Sequence, residues 1–192
     1  MTDAPTTKRQ VIDRCHEAAS RFDQALAGVS AARMLAPVAT AEWSPRDILA
    51  HLYSDCRWFW GQMIAVVEGR EPSPDECYGP YTPPGPEIDM STFDGRNAFG
   101  QDRTRDLSLD DIMALHRDYR GALFQLLEQL PDEEFGRQYT IGDLGDIGHV
   151  RPAVPGEQGF PPSPLWQWVA GSVWHHYEEH AGDIEVLPGS PA

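Results

Sequence analysis

Apolar residues recur every three to four positions in four long stretches of the chain. In the first, Val11, Ile12, Cys15, Ala18, Ala19, Phe22 and Leu26 predict a helix from about Thr7 to Ala27, with Gly28 as the stop. The second has the clearest start. Ser44 is an N-cap, Pro45 suits the first helical position, and Asp47 makes a short variant of the capping box. Trp43 and Ile48 flank the cap as a hydrophobic staple, and Ile48, Leu52, Phe59, Met63 and Val66 carry the face to Gly69. The third runs from Ser108 to Leu130 on Ile112, Leu115, Tyr119, Ala122, Leu126 and Leu130. A short helix around Asn97 to Arg105 precedes it. The fourth takes Ser163 as N-cap and Pro164 as its first residue. Its stripe of Leu165, Val169, Val173, His176, His180, Ile184 and Leu187 advances by 4, 4, 3, 4, 4 and 3.

Four such helices predict an all-α protein, a four-helix bundle forming one domain over residues 1–192. Two connections are long. Residues 70–95 hold six prolines, and residues 131–162 hold six glycines and five prolines. Loops of this length in a compact domain act as lids, binding loops or crossovers. Tyr139-Thr140-Ile141 and His149-Val150 read as a small hairpin. Parts of both connections are expected over the end of the bundle nearest His51, with Tyr139, His149 or Phe160 facing a pocket.

The histidines carry the candidate chemistry. His176 and His180 are spaced i, i+4, so they sit side by side on one helix face. As members of the apolar stripe they need partners, because an unpaired buried polar group costs free energy. His51 lies seven residues past Ser44, roughly 10 Å along its helix; His180 and His176 lie roughly 10 and 17 Å before Leu187. All three reach similar depth only if helices two and four run antiparallel, and that arrangement is expected. Three imidazoles with one open position suit a catalytic metal site. The alternative is a pair of core histidines satisfied by backbone or water.

Other chemistry is excluded. His176-Tyr177-Glu178-Glu179-His180 has Tyr where the zinc-protease motif needs its general base, and no Glu three residues before His180 for a diiron site. There is no nucleophile elbow. Cys15, Cys56 and Cys77 have neither zinc-ligand nor disulfide spacing; the first two read as core residues and Cys77 as a candidate exposed thiol. No apolar run reaches 18 residues and the N-terminus lacks a signal core, so a cytoplasmic protein with no membrane partner is expected. The net charge of −15 argues against nucleic acid and anionic membranes. A small-molecule substrate remains as partner, and a homodimer is allowed.

The segment from Trp43 to Leu52 (WSPRDILAHL) closely resembles the helix-two signature of the DinB-like superfamily. That group includes the N-terminal domains of mycothiol-dependent maleylpyruvate isomerases, the bacillithiol transferases and the ClbS/DfsB-like proteins. His176 to Ile184 (HYEEHAGDI) resembles its helix-four ligand motif, and Asn97 and Arg103 resemble the ClbS/DfsB-type subgroup. The resemblance implies a bundle with a crossover between helices two and three. It also implies a divalent metal, zinc or nickel, held by His51, His176 and His180, with a bound water or thiolate as the reactive group. Asp55 and Glu179 become candidates to orient the imidazoles. A low-molecular-weight thiol such as mycothiol is a candidate second cofactor. Maleylpyruvate isomerisation itself is not expected, because those isomerases carry a further C-terminal domain and this sequence ends at Ala192. The function implied is a metal-dependent hydrolase or thiol transferase acting on a small electrophile. The alternative is a non-catalytic protein that sequesters a toxic small molecule.

Overall fold

The computed structural model describes residues 7–38, 43–141, 148–154 and 161–186. Four long helical elements form the bundle. Helix α1 spans Lys8–Ala27 and starts at a capping box in which Thr7 and Gln10 satisfy each other's backbone N–H groups. Helix α2 spans Pro45–Glu68, starts at the same device built from Ser44 and Asp47, and stops at Gly69 with φ 65°. The connection after it carries two short helices, α3 (Pro74–Tyr78) and α4 (Phe93–Thr104). Helix α5, Leu109–Gln129, is capped by the Ser108 hydroxyl. Helix α6 is one turn, Asp132–Gly136.

Three short strands come next: β1 (Gln138–Ile141), β2 (Val150–Pro152) and β3 (Ser163–Pro164). They pair antiparallel in the order β2-β1-β3, with Ile141 opposite Val150 and Gln138 opposite Pro164. The expected hairpin is therefore present. The last long element is built from α7 (Leu165–Val169), a π-helical segment (Ala170–Trp174) and α8 (His175–Glu185). It begins at Leu165 because Ser163 and Pro164, expected as its cap and first residue, are spent on β3.

Side-chain contacts give the directions. Trp43 stacks near His180 while Asp55, further along α2, reaches His176, so α2 and α8 are antiparallel. Arg46 at the start of α2 donates to the Leu107 carbonyl just before α5, and Tyr119 well inside α5 meets Tyr53 and Trp60. Helices α2 and α5 are thus parallel neighbours, which requires the crossover that residues 69–108 supply. Contacts of His16 with Phe124 and of Asp23 with Arg120 make α1 and α5 antiparallel.

The crossover closes over a second, smaller core of Cys77, Tyr78, Met90 and Phe99. Gly61 admits it: a Cβ there would stand 2.9 Å from the Cys77 nitrogen and 3.0 Å from its sulfur. Gly61→Ala should destabilise the fold by about 1–3 kcal/mol through overpacking, measurable as a lower urea midpoint at unchanged m-value. Cys77 is fully buried rather than an exposed thiol, and burial pushes its pKa up to about 12. Cys15 and Cys56 are buried and raised to about 12 as well. None of the three should react with a disulfide reagent in the native protein, and all three should react in urea. Fast labelling of the folded chain would contradict this packing.

The π-helical segment changes the face read from the sequence. The buried stripe is Leu165, Val169, Val173, Tyr177, Ala181 and Ile184. Steps of four would spiral around a regular α-helix by about 40° each. The wider turn between Ala170 and Trp174 takes up that excess, so Tyr177 occupies the core position expected for His176. Tyr177 is 0% exposed; its hydroxyl meets His116 Nε2 at 2.6 Å and Cys56 Sγ at 3.2 Å. His176 and His180 stand one residue back, about 100° round the helix, toward α2. Leu187, the expected end of that stripe, lies outside the described residues.

Candidate metal centre

Rigid elements bring the three histidines together. His51 comes from the second turn of α2, and His176 and His180 from the first two turns of α8. His51 Nε2 and His176 Nε2 are 2.7 Å apart, and one ligand nitrogen from each of the three rings falls within a 4.8 Å set. Asp55, one turn after His51, places Oδ2 3.1 Å from His176 Nδ1 and 3.7 Å from His51 Nε2. Asp183 places Oδ2 3.0 Å from His180 Nδ1. Each carboxylate is placed to accept a hydrogen bond from Nδ1–H, and that tautomer leaves Nε2 of His176 and His180 for the cluster. In the metal-free chain one proton is shared across the His51 Nε2–His176 Nε2 contact, and a bound metal would take its place.

Burial sets the charge state. It lowers the His51 pKa to about 4, with Asp55 opposing the shift and the other two rings adding to it. Burial is also the main cause lowering His180, helped by His176 and opposed by Asp183. Neutral imidazole is the ligating form. The indole of Trp43, 4.9 Å from His51 and 6.4 Å from His180 between ring centroids, walls the cluster on one side.

The donor set fits a divalent ion of the zinc or nickel type. It consists of three neutral nitrogens, two of them steadied by a carboxylate on the far nitrogen, as metal-binding histidines usually are. The 2.7 Å separation is shorter than the roughly 3.3 Å between tetrahedral ligands about 2.0–2.1 Å from one ion.

A cavity of about 520 Å³ opens beside the cluster. His51, Ser54, Asp55 and Trp58 of α2 line one side, and Gln167, Trp168, Ser172 and His176 line another. The crossover contributes Tyr78, Phe93, Arg96 and Asn97. The connection 70–95 therefore forms part of the wall, as expected. The connection 131–162 contributes no lining residue among those described. Tyr139 is buried with its hydroxyl donating to Glu134 at 2.6 Å, and His149 is not among the lining residues. Phe160 lies outside the described residues.

Of the site residues expected from sequence, His51, His176, His180 and Asp55 converge. Glu179 is on the exposed side of α8, and the carboxylate meeting His180 is that of Asp183. Asp183 had a readable signal, an acid three residues after a histidine on a helix. Arg96 had none, because only the crossover brings it to the cavity.

Comparison with known proteins agrees with the fold. The family model described as the DinB superfamily matches residues 14–182. A sequence search of curated proteins finds no match. Among solved structures, the protein named "Sibling Lethal Factor Precursor - DfsB" is similar with 16% identity and TM-score 0.67, covering 95% of each chain. The colibactin self-resistance protein ClbS in complex with a dsDNA is similar with 12% identity and TM-score 0.64, covering 99% of this chain and 100% of that one. A mycothiol-dependent maleylpyruvate isomerase shows 14% identity and TM-score 0.62; the match covers 96% of this chain and 62% of that one. The ClbS complex corrects one expectation. The net charge of −15 does not exclude nucleic acid as a partner for this fold, because net charge sums the whole surface while a phosphate backbone is met locally. Among the described residues no helix is long and apolar enough to cross a membrane.

Proposed function

We propose that this chain, which belongs to the DinB superfamily, is a metal-dependent enzyme that acts on a small electrophilic molecule by hydrolysis or thiol transfer. The observation that carries the reading is the convergence of three imidazoles, two of them buried and two backed by carboxylates, beside a 520 Å³ cavity that His51 and His176 line. His51, His176 and His180 would hold zinc or nickel, which when bound lowers the pKa of a water or thiol and polarises a substrate oxygen. The chain's own residues prepare that site. Asp55 fixes the ring plane and tautomer of His176, and Asp183 does the same for His180. Burial keeps His51 and His180 neutral at pH 7. Trp43 keeps water off one side of the rings, while the cavity leaves the other side open to a substrate. The aromatic walls would hold the body of the molecule. The likeness to a mycothiol-dependent isomerase supports a thiol co-substrate as one of the two reaction types.

The test is metal analysis of untagged protein, then turnover of an epoxide and activated-ester panel with and without added thiol. About one zinc or nickel per chain, with turnover lost on chelation and restored by metal, is expected. Metal bound with no turnover of any electrophile would make the protein a sequestering one.

A further inference from the structure

The two helical elements that bound the cavity grade its chemistry along its length. Helix α2 and the α7–α8 element run antiparallel, so stepping forward from His51 and backward from His176 leads away from the cluster in the same direction. On α2 the path passes Ser54 and reaches Trp58 after seven residues. On the other element it passes Ser172 and reaches Trp168 after eight. All six of these residues line the cavity. At the rise of a helix both tryptophans stand roughly 10–12 Å from the imidazoles, with the serines about midway. Trp168, Ser172 and His176 follow one another in steps of four, and the π-helical segment that contains Ser172 keeps them on one side. Trp168 is fixed from outside its helix, because its indole Nε1 donates to the Tyr139 carbonyl of β1 at 3.2 Å. Among the described residues no other aromatic ring packs on it. The half-buried Ser172 hydroxyl has no hydrogen-bond partner among them either.

Each zone selects part of a ligand. An anchored indole with no ring stacked on it favours a flat aromatic group, since stacking adds to area burial. An unpartnered hydroxyl, both donor and acceptor, favours a neutral polar group such as an amide, about 6 Å further in. The charged side chains on the walls already have partners: Asp55 meets His176, and Arg96 donates to the Met90 carbonyl. Neither charge is left for a ligand to neutralise, and the net charge of −15 disfavours anions further. We infer that the cavity takes an elongated, uncharged molecule, with an aromatic ring on Trp168, an amide or similar group at Ser172, and its opposite end at the His51–His176 pair. This deepens the proposed function and rests on it for the claim that the end at the histidines is the one that reacts. The shape of the binding slot itself does not depend on a metal.

The experiment uses full-length protein stripped with EDTA, so that no probe can be read as a metal ligand. Titration calorimetry follows N-(2-naphthylmethyl)-5-hydroxypentanamide, whose amide lies about 6 Å from the ring centre and whose hydroxyl lies about 6 Å beyond, at roughly 1.2 Å per bond. Its comparators change one zone each. N-(2-naphthylmethyl)acetamide lacks the inner end, the cyclohexylmethyl analogue lacks the flat ring, and analogues ending in a carboxylate or an ammonium are charged. The parent is expected to bind at least five-fold more tightly than each. Trp168→Ala should remove the preference for naphthyl over cyclohexyl, while Trp168→Phe should keep part of it. Ser172→Ala should weaken the parent several-fold and leave the naphthyl-to-cyclohexyl ratio unchanged. The wild-type series decides the matter should a variant misfold. No binding of the parent, equal binding of the acetamide or the cyclohexyl analogue, or a ring preference that survives in folded Trp168→Ala overturns the inference. Parent affinity unchanged in Ser172→Ala overturns the place given to the amide, and either charged analogue binding as tightly as the parent overturns the neutral class. A chain that binds in the expected pattern but takes up no metal sinks the metalloenzyme reading alone. A metal-loaded chain without the pattern sinks this one alone.

Discussion

Replacing His176 with alanine should abolish metal uptake and leave the bundle folded. The ring is only half-buried and stands beside the core stripe, whose positions belong to Val173, Tyr177 and Ala181. Its loss therefore opens no large apolar cavity, and the helical stripes that supply most of the folding free energy stay intact. Metal binding has no such redundancy, because two imidazoles on neighbouring helices give a much weaker site than three. Stoichiometry should fall from about one per chain to near zero, with far-UV helicity unchanged. The supporting acids give a sharper test. Asp55→Asn and Asp183→Asn should each weaken metal affinity by about 10–100-fold, the usual effect of losing a carboxylate behind a ligating imidazole. Glu179→Gln should have no comparable effect, since Glu179 is exposed. Full metal retention in His176→Ala would end the three-histidine assignment. A Glu179→Gln loss as large as that of Asp183→Asn would mean that α8 is oriented differently.

How much of the fold and the site was legible in the sequence depended on what each feature needs. Caps are local, so Ser44 with Asp47 placed the start of α2 correctly, and Gly69 its end. The antiparallel pairing of α2 with α8 was also readable, because rise per residue turns three histidine positions into a depth constraint. The ligand helix was harder. A stripe advancing by threes and fours put His176 and His180 in the core, and a regular α-helix would have done so. The π-helical turn at Ala170–Trp174 rotates the residues after it and gives the core to Tyr177. No periodicity in a single sequence signals an inserted residue of that kind. Such turns are often found at functional sites, and here the consequence is direct: both histidines face α2 instead of α1. The cavity wall was mostly invisible for another reason. Arg96, Phe93 and Tyr78 sit in a crossover whose path is set by Gly61 and by its own small core, none of which has a repeating pattern.

The second large effect should be acid destabilisation, and its source is His116. This ring of α5 is buried, with Nε2 2.6 Å from the Tyr177 hydroxyl. The Tyr177 hydroxyl also meets Cys56, and burial raises the Tyr177 pKa well above its ordinary value. Tyr177 thus stays protonated and donates to a neutral imidazole. Arg120, paired with Asp23, stands close enough to oppose a second positive charge. Burial, with Arg120 as the smaller cause, lowers the His116 pKa from 6.5 to about 3. Between those values the unfolded chain binds a proton that the folded chain does not. The free energy of unfolding therefore rises with pH in that window and falls on acidification, by roughly 1.4 kcal/mol per pH unit for each such group. His51, lowered to about 4 in the metal-free protein, adds a second group over most of the same range. From pH 6.5 to about 4 the metal-free protein should lose several kcal/mol, a large share of a typical domain stability. Urea unfolding at half-unit pH intervals would show it as a slope of at least about two protons near pH 5, to which His180, also lowered by burial, adds. His116→Gln should reduce that slope by about one proton while keeping a polar partner for the Tyr177 hydroxyl. An unchanged slope in His116→Gln would mean that His116 is already charged in the folded protein, and the buried Tyr177–His116 hydrogen bond would then have to run in the opposite direction.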